Sequence, residues 1–229
     1  PDAPRGFVYS QQTMLALYNC TGDWALSLQG DEAIHEKDCE SLRDLVVAAH
    51  SQQNVDGIAL KYYHFYGKPN LLATGPRWYR AEARLVRMAG RRVIVPSDAQ
   101  YLINISGRRK LSYLRAICAD AHIYHYGWVR GRNAHAKKVS SVSEFWQEQP
   151  AEASLYEQID PHSLKEFHDT HPAAMQPWLD SSANLEFEPD WNHTLTRRER
   201  KQRLKSKIEK LTGLDLSCTH FCPVKLRTK

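Results

Sequence analysis

The chain has 229 residues, 42% of them hydrophobic and 25% charged, with a formal net charge of +5 at pH 7. That length is ample for one large domain with a sizeable core, with or without an extension, and no run of about 18 apolar residues is present to span a bilayer. Five scattered cysteines (Cys20, Cys39, Cys118, Cys218, Cys222) and the lack of an apolar signal core in Pro1–Gly6 favour reduced thiols in the cytoplasm over a secreted disulfide framework.

Ser10 is placed to cap a short helix over residues 11–18, which Gly22 would close. Trp24, Leu26 and Leu28 then alternate with smaller or polar residues, the pattern of a half-buried strand. This strand stops at Gly30 and delivers Asp31 and Glu32 at its end, with His35 just beyond. Ligands of open α/β sheets bind where strands end, and adjacent carboxylates suit a hard divalent cation held against phosphate. Next, Cys39, Leu42, Leu45, Val46 and Ala49 recur at helical spacing, and a β run over 58–66 follows the Asp56-Gly57 turn. Helix, strand, helix, strand is the order of an α/β sheet.

Pro69, Gly75 and Pro76 make residues 68–80 read as a long loop. Short strands follow over 83–88, 92–95 and 117–126, with turns at Gly90 and Gly107. Residues 132–149 return to a helical pattern. Prolines 150, 161, 172, 177 and 189 break the next stretch into irregular segments and short helices that cover the core, so the chain divides into 1–149 and an extension, 150–229. Thr196 and Glu199 form a capping box and Gly213 a stop. The basic helix between them has a narrow apolar stripe (Leu204, Ile208, Leu211) and reads as a surface helix docked along an edge, not as a nucleic-acid reader.

Three clusters add chemistry. Tyr62-Tyr63-His64-Phe65-Tyr66, with Arg77-Trp78-Tyr79-Arg80 beyond, combines rings that stack on flat faces with guanidinium groups that fork onto phosphate. Asp98, between Pro96 and a strand-like Tyr101-Leu102-Ile103, is a candidate general base. His122 and His125 sit at odd spacing on one strand and project from opposite faces. Of the two, His125 is nearer the strand end, where a neutral imidazole can ligate a metal. The Cys218/His220/Cys222 group lacks the second ligand pair that a structural zinc needs.

Gln11-Gln12-Thr13, Cys20-Thr21-Gly22-Asp23-Trp24 and Gln29-Gly30-Asp31-Glu32 occur in order with His64-Phe65-Tyr66-Gly67, Arg77-Trp78-Tyr79-Arg80, Asp98-Ala99-Gln100 and His125-Tyr126-Gly127-Trp128-Val129-Arg130. This ordered set, over residues 5–140, resembles a bacterial family 2 glycosyltransferase domain. The resemblance implies a GT-A fold, a Rossmann-like mixed sheet flanked by helices. It also implies a nucleotide-sugar donor, a divalent Mg²⁺ or Mn²⁺, and inverting transfer to a hydroxyl of a carbohydrate or glycolipid acceptor, in the cytoplasm or at the inner face of the membrane. By position Asp31 and Glu32 match the acidic metal motif, with Gln29 standing where the usual Asp-x-Asp has its first acid, and His125 matches a further ligand. Asp98 is then the candidate base, and Arg77, Trp78, Tyr79, Arg80, Trp128 and Arg130 are candidates to bind donor diphosphate or an anionic acceptor. Family members open with a βαβ unit that builds the nucleobase pocket. None precedes the acidic motif here, so the chain is expected to be the C-terminal part of such a domain. The alternative expectation is a non-catalytic degenerate transferase domain or a basic module that binds nucleic acid.

Overall fold

Two long strands, β3 (Gly57–Tyr66) and β8 (Lys110–Trp128), run parallel at the centre of the fold and carry the register that builds the site. They belong to a computed structural model that describes residues 6–90, 93–106, 110–146 and 156–227. On the far edge of β3 lies β5 (Ala81–Arg87), antiparallel, with β1 (Trp24–Leu26) antiparallel beyond it. The other edge of β8 takes β2 (Glu32–Ile34), antiparallel, and β10 (Phe221–Pro223), parallel. β6 (Val93–Ile94) and β7 (Ile103–Ser106) extend the sheet from the start of β8, while β4 (Lys68–Ala73) and β9 (Leu164–Glu166) extend it from the end of β3. Parallel and antiparallel pairs thus mix in one sheet, covered by helices: the architecture is mixed α/β.

The helices cover it as the side-chain alternation requires. Ile58 and Leu60 of β3 and Ile117 and Ile123 of β8 share one face. They pack under α2 (Glu36–His50) through Leu42 and Ala49. Burying each of these aliphatic side chains contributes about 1.5–3 kcal/mol. His35 is the N-cap of α2, its Nδ1 accepting the Lys37 amide at 3.2 Å. At the other end the buried Arg87 guanidinium donates to the carbonyls of Ala49, His50 and Gln52, satisfying groups the helix leaves open. Residues of opposite parity, Ala59 and Ala116, pack with Leu17 of α1 (Phe7–Tyr18), and Phe65, Tyr124 and Tyr126 pack with Leu179 of α4 (Gln176–Ser182).

Several boundaries differ from expectation. Ser10 lies inside α1, its Oγ donating to the Val95 carbonyl, and Gly6, in the left-handed region at φ 73°, takes the N-cap position instead. Asn19, not Gly22, ends that helix. The acidic strand is two short strands: β1 stops at Leu26, a loop carries Asp31, and Glu32 opens β2. The expected loop over 68–80 contains β4. Pro69, which has no N–H to give, falls where the β3–β4 ladder slips. β8 begins seven residues before the expected Ile117. Its N-terminal part is solvent-facing, so Lys110, Ser112 and Arg115 hide the alternation. The helix expected over 132–149 is α3 (Arg132–Trp146). The turn at Gly107 and the boundary at 149/150 fall outside the described residues. Beyond that boundary, Tyr156, Ile159 and Phe187 pack on Tyr66 and Ala73. The basic helix α5 (Arg197–Thr212) has its capping box and its left-handed Gly213 as read from the sequence. No helix is long and apolar enough to cross a membrane among the described residues.

Candidate functional site

Pairing of β2, β8 and β3 sets Glu32 opposite His125 and His125 beside His64, one row across three adjacent strands. Glu32 lies at the floor of this row. Its Oε1 accepts the Tyr62 hydroxyl at 2.8 Å and Arg84 Nη2 at 2.9 Å, and its Oε2 accepts the Gln29 amide at 3.0 Å. Both the Glu32 and Arg84 side chains are buried, at 0% and 1% exposure. Burial disfavours the Arg84 charge, but the oxygens of Tyr62 and Glu32 outweigh it and hold the guanidinium charged. Glu32 is therefore committed to a buried ion pair and does not face an open metal site, which corrects the expectation of a second ligating carboxylate.

Asp31 is the acid that reaches the surface. It sits in the loop before β2, its carbonyl accepting the Tyr126 amide at 2.9 Å, and its carboxylate is 28% exposed. His125 Nε2 lies 3.8 Å from Asp31 Oδ1. The other His125 nitrogen, Nδ1, is 3.1 Å from His64 Nδ1, while His64 Nε2 is 2.8 Å from the Tyr79 carbonyl. A carbonyl only accepts, so His64 carries its proton on Nε2 and accepts at Nδ1. His125 must then donate from Nδ1, which leaves its Nε2 as a bare lone pair facing Asp31. Burial, followed by the neighbouring His125, pushes His64 down to about 3, and burial lowers His125 as well, so both rings are neutral at pH 7.

Gly127 keeps the space between these groups open. A Cβ there would stand 2.5 Å from Asp31 Oδ2, 2.7 Å from His125 Nε2 and 3.1 Å from Lys138 Nζ. Lys138, on α3, approaches Asp31 Oδ2 at 3.4 Å, donates to the Gly127 carbonyl at 2.8 Å and lies 5.4 Å over the Trp128 ring. Burial lowers its ammonium against the pull of Asp31. Arg130 Nε donates to the same Gly127 carbonyl at 3.0 Å. Aromatic walls close the sides: Tyr79 meets His64 edge-on at 4.7 Å and Trp78 tilts against it at 5.0 Å, while Trp128 stacks on Tyr66.

Of the expected site residues, Asp31, His125, Trp78, Tyr79, Trp128 and Arg130 are thus brought together. Three others go elsewhere. Arg80 is taken by Glu209 at 2.7 Å and Asp215 at 2.8 Å, so it ties α5 to the fold. Arg77, stacked 5.6 Å from Trp78, opens into a groove of about 650 Å³ between residues 74–80 and α5. Asp98 lies in the β6–β7 loop with Ser97 and Ala99 at positive φ. Its charge raises the phenol of Tyr101, though less than burial and Tyr113 do, and the Tyr101 ring stacks on His220 at 4.3 Å. His220 Nδ1 is 2.6 Å from the buried Glu82 and its Nε2 is 3.1 Å from Cys218 Sγ. Asp98 belongs to this second cluster and not to the Asp31–His125 row.

The sequence singles out Tyr62 and His64 only as members of an aromatic cluster, and gives no role to Lys138 or Arg84. A signal for His64 exists: His64-Phe65-Tyr66-Gly67 and His125-Tyr126-Gly127 are similar strings on two strands, as side-by-side parallel pairing would set them. Lys138 has none, because helix geometry alone brings it back over Trp128. Among the described residues no group of three or more His, Cys, Asp or Glu side chains converges as a metal site. Asp31 and His125 together with the cradle at Gly127 are what a cation would find. Comparison with protein-family models, curated proteins and solved structures gives no match to this chain.

Proposed function

We propose that the chain acts as a GT-A-like glycosyltransferase domain that transfers sugar from a nucleotide-sugar donor to a hydroxyl, with inversion. The observation that carries this reading is the convergence of the Asp31 carboxylate and the bare His125 Nε2 on a space kept free by Gly127. Two protein donors are few for a metal cage, but Mg²⁺ and similar ions are commonly bound by one or two side chains and completed by substrate phosphate. The donor set therefore fits a divalent ion held together with a diphosphate. Such an ion, when bound, neutralises charge on the departing nucleoside diphosphate.

The chain's own residues do the rest. The Tyr79 carbonyl and His64 fix the His125 tautomer, an outer-shell role that tunes a ligand. Lys138 and Arg130, both anchored on the Gly127 carbonyl, supply cations for phosphate oxygens. Trp78 and Trp128 wall the space beside His64 and Lys138. We assign the base to neither acid of the second cluster: Asp98 stands apart from the Asp31–His125 row, and Glu82 is buried and held by His220 at 2.6 Å. The rival nucleic-acid reading draws on the basic runs, but it gives no role to the convergence around Asp31.

Calorimetric titration tests the proposal. Nucleoside diphosphates are expected to bind only when Mn²⁺ is present, and Asp31→Asn is expected to abolish that Mn²⁺-dependent binding without unfolding the chain. Binding that ignores Mn²⁺, or no binding at all, overturns it.

A further inference from the structure

An amphipathic surface helix normally turns its apolar stripe to the core and its charges to water. α5 does the reverse. It docks through polar groups: Arg203 forks onto Asp160 with both bonds at 2.7 Å, Glu209 receives Arg80, and Glu199 holds His193 at 2.9 Å and its own cap. The opposite side carries Leu204, Ile208 and Leu211 at i, i+4 and i+7, exposed by 59%, 38% and 86%, with Leu214 just past the stop at 60%. At 3.6 residues per turn, Arg200 and Lys207 border this stripe on one side and Lys201 on the other, and Arg197 lies in line with it at the start of the helix. The helix has eight lysines and arginines against two glutamates, and both glutamates are used on the docked side.

We propose that α5 is an interfacial helix whose leucine face enters an anionic lipid surface. Three candidate occupants can be weighed by charge and polarity. A second copy of α5 would bring two basic rims together, which like charges oppose. A nucleic acid would neutralise the rims but has no use for three aliphatic side chains. A bilayer with anionic headgroups meets both demands: the leucines enter the boundary of the acyl chains, and the lysines and arginines reach the headgroups along apolar stems. The association is peripheral, since α5 is far too polar to cross. The inference is independent of the transferase reading, because it needs neither metal nor nucleotide. Its geometry has a bearing on that reading all the same, since the groove beside α5 opens at Arg77 and Trp78.

Vesicle flotation with the full chain tests it, using phosphatidylcholine alone and phosphatidylcholine with roughly one-third phosphatidylglycerol. The wild type is expected to float with the anionic vesicles at least about tenfold more strongly than with neutral ones, and less so as salt rises. The pair Leu204→Gln/Leu211→Gln, both exposed, is expected to weaken that binding about tenfold or more with unchanged circular dichroism and melting temperature. Lys201→Gln/Lys207→Gln is expected to weaken it through charge alone. No flotation with anionic vesicles overturns the proposal, as does flotation that the leucine pair leaves unchanged. A dimer that the leucine pair dissolves, without vesicle binding, names a second copy as the occupant and overturns it too. So does RNA binding in place of vesicle binding.

Discussion

His64 and His125 face each other through their Nδ1 atoms at 3.1 Å, and the Tyr79 carbonyl on the far side of His64 decides which of them holds the proton between them. His64 has no nitrogen left for a second proton, since its Nε2 donates to the Tyr79 carbonyl and its Nδ1 accepts from His125. Burial holds His64 at about 3, whereas a free histidine titrates near 6.5, so below 6.5 the unfolded chain takes up a proton that the folded chain refuses. Stability is complete above that range and falls as pH drops toward the folded value. Between pH 7 and 5 the loss from His64 is about 2 kcal/mol, and the lowered His125 adds to it in the same direction. Urea midpoints measured across this range check it, and His64→Gln is expected to flatten the slope.

The Glu32–Arg84 pair is buried on both sides, so removing one partner strands the other. Arg84→Met is expected to cost about 3–5 kcal/mol, because the Glu32 carboxylate then keeps only the Tyr62 hydroxyl and one amide. Replacing both with apolar residues of similar size is expected to recover much of that loss. Chemical denaturation of the single and double variants separates the two outcomes.

Lys138 stands where it helps a phosphate and hinders a metal. Its ammonium already serves Asp31 at 3.4 Å. Lys138→Met is therefore expected to tighten Mn²⁺ binding in the absence of nucleotide, by about tenfold. The same change is expected to weaken the diphosphate in its presence. Manganese titrations followed by electron paramagnetic resonance, with and without nucleoside diphosphate, read both effects.

Arg80 is expected to act on α5 and not on ligands. Arg80→Ala removes bonds to Glu209 and Asp215 and should speed amide exchange along α5, with a cost to stability of about 1–2 kcal/mol. Mn²⁺ binding should not change. Hydrogen exchange by mass spectrometry, set beside the manganese titration, tests this division of roles.

What the sequence made legible was local. Thr196, Glu199 and Gly213 bounded α5 because capping is a matter of a few adjacent residues, and the spacing from Leu42 to Ala49 showed α2 for the same kind of reason. The alternation from Ile58 to Tyr66 gave β3. The site was legible only where a strand end coincided with charge, as at Asp31 and His125. Glu32 looked equivalent to Asp31 because the two are adjacent, yet pairing with β8 turns one inward and leaves the other in a loop. Lys138, Arg84 and the Glu82–His220 contact depend on separations of 52 to 138 residues. No pattern within one element reports such contacts. The helix α5 is the opposite case: its stripe was plain in the sequence, but its direction was not, since only the partners of Arg203 and Glu209 reveal which side is docked.

Gly127 has one last consequence. Its hydrogen occupies a position from which a single methyl group would touch a carboxylate oxygen, an imidazole nitrogen and an ammonium at once. Gly127→Ala would therefore behave like a plug tethered inside the chain, a permanent competitor for whatever cation Asp31 and His125 attract. Asp31 can swing aside, but His125 is buried and bonded to His64, so its ring would have to be displaced as well. At this position the chain works through the smallest side chain available, and the working part is the volume it declines to fill.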